Sequence, residues 1–147
     1  MAIKIVVANA HKAQLEDADT AKEVNSIEEE LNRVNLSYVD NTINFVFIKG
    51  IYQHVERALL TVGVFVNKSD KPIKELHGDL RLKFNNENAQ IAKATLDFDE
   101  PFMGHINPDE GLLVHINIPV KGLDSDKEYA FADVAGGFDN VRITHVE

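Results

Sequence analysis

No cysteine and no tryptophan occur among the 147 residues. The missing thiols exclude disulfides, thiol catalysis and cysteine-based zinc sites. The missing indoles, beside only three tyrosines, leave little from which to build an exposed platform for sugars or single-stranded bases. Basic residues are scarce too. Lys and Arg total 15 against 24 Asp and Glu, a net charge of −9. That balance opposes binding to nucleic acid or to an anionic membrane surface. No apolar run reaches transmembrane length, so no membrane insertion is expected. The N-terminal apolar run is short, is broken by Lys4 and has no basic region before it. It does not read as a signal peptide, which places the chain as written in the cytoplasm. Export to the cell envelope is the alternative if a signal has been removed.

Motifs that carry chemistry are also missing. There is no HExxH, no GxSxG elbow, and no GxGxxG or Walker context around Gly136-Gly137. The six histidines, at 11, 54, 77, 105, 115 and 145, show no ligand spacing. They read as solvated or singly hydrogen-bonded side chains. His115 stands out because it sits on the second face of a well-patterned strand. Carboxylates gather around residues 97–110, with Asp97, Asp99 and Asp109 as candidate hard-oxygen ligands for calcium. They lack EF-hand spacing, and an acidic chain scatters carboxylates anyway. A glycosidase pair would need a deep cleft as well. Ser69 reads as a turn residue. No cofactor is expected.

What the chain does have is alternation. Residues 59–73, LLTVGVFVNKSDKPI, read as a strand running into a turn. Leu60, Val62, Val64 and Val66 alternate with Thr61, Gly63, Phe65 and Asn67. Asn67 to Pro72 then supply turn chemistry. Similar runs recur at 43–48, 79–84, 92–98, 112–118, around Tyr129 and Phe131, and at 141–145, with Gly136-Gly137 read as a turn. This pattern predicts a mainly β fold, an antiparallel immunoglobulin-like β-sandwich with one N-terminal helix. Residues 1–35 form the N-terminal strand and helical extension and 36–147 the sandwich domain. Residues 3–8 read as a short strand and 10–23 as a frayed helix or linker. Ser26 and Glu29 fit a capping box that opens a helix ending near Asn35, with Val24, Ile27, Leu31 and Val34 as its apolar stripe. Leu60, Val62, Val64, Leu80, Leu82, Phe84, Leu96, Leu112, Val114, Ile116 and Ile143 are expected to share one core between two sheets.

The longest irregular segment in the β region is 99–111, DEPFMGHINPDEG. Long loops in small domains are often functional. Phe102, Met103, His105 and Ile106 are therefore the candidate partner-binding residues. The competing reading makes the apolar three a plug for the end of the sandwich.

The run from Leu60 to about Val120 resembles two kinds of bacterial β-sandwich module. One is the SLAP domain of S-layer-associated proteins in Firmicutes. The other is the FxLYD-type domain of Gram-positive lipoproteins. The shared parts are Val64-Phe65-Val66-Asn67, Lys71-Pro72-Ile73, the strands at 80–84 and 91–98, and Asn107-Pro108-Asp109-Glu110-Gly111 before Leu112. The tyrosine-aspartate of the FxLYD name is replaced here by Phe84-Asn85. The resemblance implies a non-catalytic module of the cell envelope or its assembly machinery. The expected function is thus a non-catalytic protein-interaction module with a protein partner, its oligomeric state left open. The alternative is a calcium- or other metal-dependent binding protein, or a small hydrolase, with its site at 97–115.

Overall fold

Strand β3 (Ala58–Asn67) organises the molecule because both of its faces are buried. The computed structural model describes residues 3–7, 18–33 and 38–146. It is 57% strand and 15% helix, in two sheets that do not close into a barrel. The larger sheet has the order β1-β7-β3-β2-β8, with β1 (Lys4–Val7), β2 (Ile43–Gln53), β7 (Glu110–Lys121) and β8 (Lys127–Tyr129). The short β5 (Gln90–Ile91) also pairs with β7. The smaller sheet has the order β6-β4-β9, with β4 (Ile73–Phe84), β6 (Ala94–Phe98) and β9 (Val134–His145). The pairings are antiparallel except β1 with β7, which is parallel. Among the described residues, two α-helices complete the fold, α1 (Ala18–Arg33) and the single turn α2 (Glu100–Met103).

One face of β3 looks into the space between the sheets. Leu59 and Phe65 lie there with Leu76, Leu80, Leu82, Phe84, Leu96, Leu112, Val114 and Ile118. Phe65 is fully buried, and its ring centroid lies 4.9 Å from Phe45, 5.0 Å from Phe138 and 6.1 Å from Phe98. Close packing of these rings needs missing side chains. A Cβ on Gly63 would sit 2.4 Å from the Phe45 ring, and one on Gly78 would sit 2.6 Å from Phe138. The opposite face of β3 carries Val62, Val64 and Val66. They form a second core with Val46, Leu113, Ile3 and Ile5 of the N-terminal strand segment, and Ile27 and Leu31 of α1.

Several expectations are corrected by this arrangement. Val62 and Val64 are buried, but under α1 and β1 rather than between the sheets. Strict alternation cannot reveal this when both faces of a strand are apolar. Leu60 is only half-buried. Helix α1 does not begin at Ser26; it is already helical at Ala18, so Ser26 lies on its exposed side in mid-helix and caps nothing. Ile27 and Leu31 do bury as the stripe predicts. The expected readings of residues 10–17, Val34 and Asn35 lie outside the described residues. Gly136 and Gly137 do not turn the chain; they sit within β9 opposite Leu82 and Arg81. A Cβ on Gly136 would come 3.0 Å from Leu82 and 3.4 Å from Phe45, so this glycine serves close packing. Phe131 lies in a 3-10 turn (Phe131–Asp133) after β8 rather than in a strand. The run read as one strand over 92–98 is joined by β5 at its start, and β5 pairs with the larger sheet while β6 pairs with the smaller.

Candidate functional site

The 99–111 segment closes one end of the core between the two sheets. Asp99 caps α2, its carboxylate accepting the Phe102 backbone N–H at 3.1 Å. Met103 and Ile106 point inward and are 2% and 0% exposed. Ile106 forms an isolated bridge to Ile73, with both backbone bonds at 2.9 Å. Phe102 is half-buried, its ring 5.3 Å from Phe98. Of the four candidate partner-binding residues, only His105 is exposed, and Glu100 holds its Nε2 at 2.7 Å. Met103 and Ile106 are core residues, so this segment plugs that end of the core and offers no apolar docking surface built on them.

Asn67 ties the plug down. It is fully buried at the end of β3. Its amide nitrogen donates to the carbonyls of Ile106 and Lys71, at 2.8 and 2.9 Å. Its amide oxygen accepts from the Ser69 backbone N–H and from the Ser69 hydroxyl. Ser69 Oγ also lies 3.0 Å from His145 Nε2. A serine facing an imidazole is the start of a nucleophile–base pair. Here the serine is 7% exposed and its hydroxyl has Asn67 and the Lys71 carbonyl as further partners. The contact joins the 67–72 turn to the end of β9, as the turn reading of Ser69 implies.

The three carboxylates considered for a metal do not converge. Asp97 pairs with His77, Asp99 caps α2, and Asp109 takes Lys68 Nζ at 2.7 Å. Among the described residues, no three His, Asp or Glu side chains come together in a way that could hold a metal ion. Asp109 also has a positive φ of 63°, which turns the chain into β7. His115 faces α1, with Glu23 Oε1 at 2.8 Å from its Nε2. It is a link between helix and sheet.

Sequence reasoning overlooked two polar clusters. On the outer face of the smaller sheet, Asp79 accepts from Thr95 at 2.9 Å and Asn140 at 2.7 Å. These bonds hold the Asp79 carboxyl below its usual range, the Asn140 bond most of all. His77, between Glu75 and Asp97, lines the same shallow groove. The alternation of 75, 77, 79, 81 and 83 places these residues on one face, but only the strand order brings Thr95 and Asn140 beside them. The second cluster joins the 85–88 turn to β8. The Tyr129 hydroxyl donates to Glu87, and Lys127 Nζ lies 3.0 Å from the same carboxylate. The Tyr129 bond, then the Lys127 bond, lowers the Glu87 pKa, while desolvation and then Glu87 raise that of Tyr129. A carboxyl with a lowered folded-state pKa contributes stability above its unfolded value and loses it as pH falls through the folded one. Tyr129→Phe is therefore expected to lower the melting point at neutral pH and to make its fall on acidification shallower. Thermal melts of both proteins across the carboxylate range check this.

One further groove, of about 290 Å3, lies between the first half of β2 and the first half of β9, where Phe45, Phe47, Phe131 and Val134 line it. β8 pairs with β2 only at Gly50 to Tyr52, and β9 pairs only with β4. Among the described residues, both strands thus present an edge without a neighbouring strand here. No protein family matches the sequence, and neither a curated protein nor a solved structure does. No helix among the described residues is long and apolar enough to cross a membrane.

Proposed function

We propose that the chain is a non-catalytic protein-interaction module built on an immunoglobulin-like sandwich. The observation that carries this reading is the groove between β2 and β9, where an apolar floor meets two strand edges without strand neighbours. Such edges offer backbone donors and acceptors to an extended segment of a partner, and the floor offers pockets for its side chains. The immunoglobulin-like assignment is supported by the strand order, in which β2-β3-β7 form one sheet and β6-β4-β9 the other. The resemblance around Val64-Phe65-Val66-Asn67 suggests a cell-envelope setting, such as S-layer assembly. The partner is a protein; the net charge of −9 disfavours nucleic acid.

Ala132 and Ala135 are exposed at the groove and are safe places for added charge. The double variant Ala132→Lys/Ala135→Lys is expected to keep the wild-type melting point and to lose proteins that the wild-type chain retains from an extract. Quantitative mass spectrometry of matched pull-downs measures this. An identical retained set for both proteins would overturn the groove as the interaction site. A large melting-point rise on adding calcium or zinc, reversed by EDTA, would favour the metal-dependent alternative.

A further inference from the structure

The N-terminal arm, β1 with α1, has a core of its own. Ile3, Ile5, Ile27 and Leu31 all belong to the cluster over the outer face of the larger sheet. The fully closed residues of the inter-sheet core include none of them; Val6 alone packs against that core, half-buried. The arm is also self-clamped. Asn32 accepts the Ile3 N–H at 2.7 Å and donates to the Ile3 carbonyl at 2.9 Å. Glu28 accepts the Ile5 N–H at 2.8 Å. Helix side chains thus finish the outer edge of β1, where another strand would otherwise pair. The other edge of β1 runs parallel to β7, Ile5 beside Gly111. Gly111 makes the seat: a Cβ there would meet Val64 at 2.4 Å and Ile3 at 3.3 Å.

We propose that β1–α1 is an exchangeable arm, and that its seat on β7 and β3 accepts the arm of a second copy of this chain. The sandwich keeps its inter-sheet core when the arm lifts, so lifting costs less than global unfolding. A bare seat would expose Val46, Val62, Val64, Val66 and Leu113 as one apolar patch, and bare patches of this kind are unstable in water. Two copies that exchange arms regain every contact between arm and seat, which makes exchange a low-cost route to a dimer. Among the described residues, the arm joins the rest of the fold through the one connection from Arg33 to Ile43. The helix-covered face and the β2–β9 groove are separate surfaces.

The absence of cysteine makes the test clean. Lys4 and Glu110 are register partners across β1 and β7. In the full chain, Lys4→Cys/Glu110→Cys is expected to oxidise within one molecule at low protein concentration. After reduced incubation at high concentration in mild denaturant, oxidation is expected to give a growing share of covalent dimer joined by 4–110 links. Monomer alone at every concentration, or dimers joined only 4–4 or 110–110, would overturn exchange. Hydrogen exchange on the unmodified protein guards against a variant that fails to fold. The Lys4 amide, which donates to the Asp109 carbonyl across the seam at 3.1 Å, should be protected at least about tenfold less than that of Phe65, the sign of local opening. Equal protection would mean the arm leaves only when everything unfolds, and the proposal falls.

Discussion

Phe65→Ala is expected to destabilise the protein by about 3–5 kcal/mol, the range for truncating a buried aromatic side chain. The residue has no exposed surface and three phenylalanine rings around it, contributed by β2, β6 and β9. Removing it leaves a void that neither sheet can close without moving the other. The neighbouring Val64→Ala supplies the contrast. Val64 is just as buried, but it faces the arm. Its loss should cost less and should lower protection of β1 and α1 before that of β4. Urea unfolding of both variants, followed by hydrogen exchange, separates the two cores. Equal effects on β1 and β4 amides in both variants would argue for one fused core.

Asn67→Ala should be the most damaging polar substitution, costing about 1–3 kcal/mol. It leaves the Ser69 N–H without its partner, a penalty of about 1–3 kcal/mol when buried, and takes one donor from each of the Ile106 and Lys71 carbonyls, which keep the Ile73 N–H and the Ser69 hydroxyl. Asn67→Asp refines the test. The aspartate keeps an acceptor for Ser69 but has no donor for the two carbonyls, and it buries a charge. Its deficit relative to wild type should shrink as pH falls and the carboxyl protonates. A denaturation midpoint within 0.5 kcal/mol of wild type for Asn67→Ala, about the scatter of an ordinary surface change, would remove Asn67 as the anchor of the 99–111 plug.

The sequence pattern makes some of this legible. Leu80, Leu82 and Phe84 alternate with Arg81 and Lys83, and the structure buries the first set and exposes the second. Leu112 and Val114 are inward as the alternation requires. Other elements are silent for definable reasons. β3 is apolar on both faces, so period two cannot say which face meets the second sheet. Ser26 with Glu29 satisfies a capping pattern by coincidence inside a helix that begins earlier. The pair Gly136-Gly137 carries the composition of a turn, yet the missing side chain of Gly136 is what lets β9 lie against Leu82 and Phe45. The candidate site divides in the same way. Loop composition identifies 99–111 as a special segment, but only burial distinguishes plug from docking surface. The β2–β9 groove has no local signature, because it arises from two strands distant in sequence.

The two-sided burial of β3 bears on how the strand finds its place. In a strand with one wet face, a slip of one residue drives every apolar side chain into water, and that penalty fixes the alignment. β3 has little such penalty, since Val62, Val64 and Val66 on one side match Leu59 and Phe65 on the other in greasiness. Alignment must then be read from its exceptions. A slip would slide a valine beneath the Phe45 ring, where only Gly63 fits, and would pull Asn67 away from the carbonyls it serves. The least hydrophobic residues of the central strand thereby act as its alignment marks during folding.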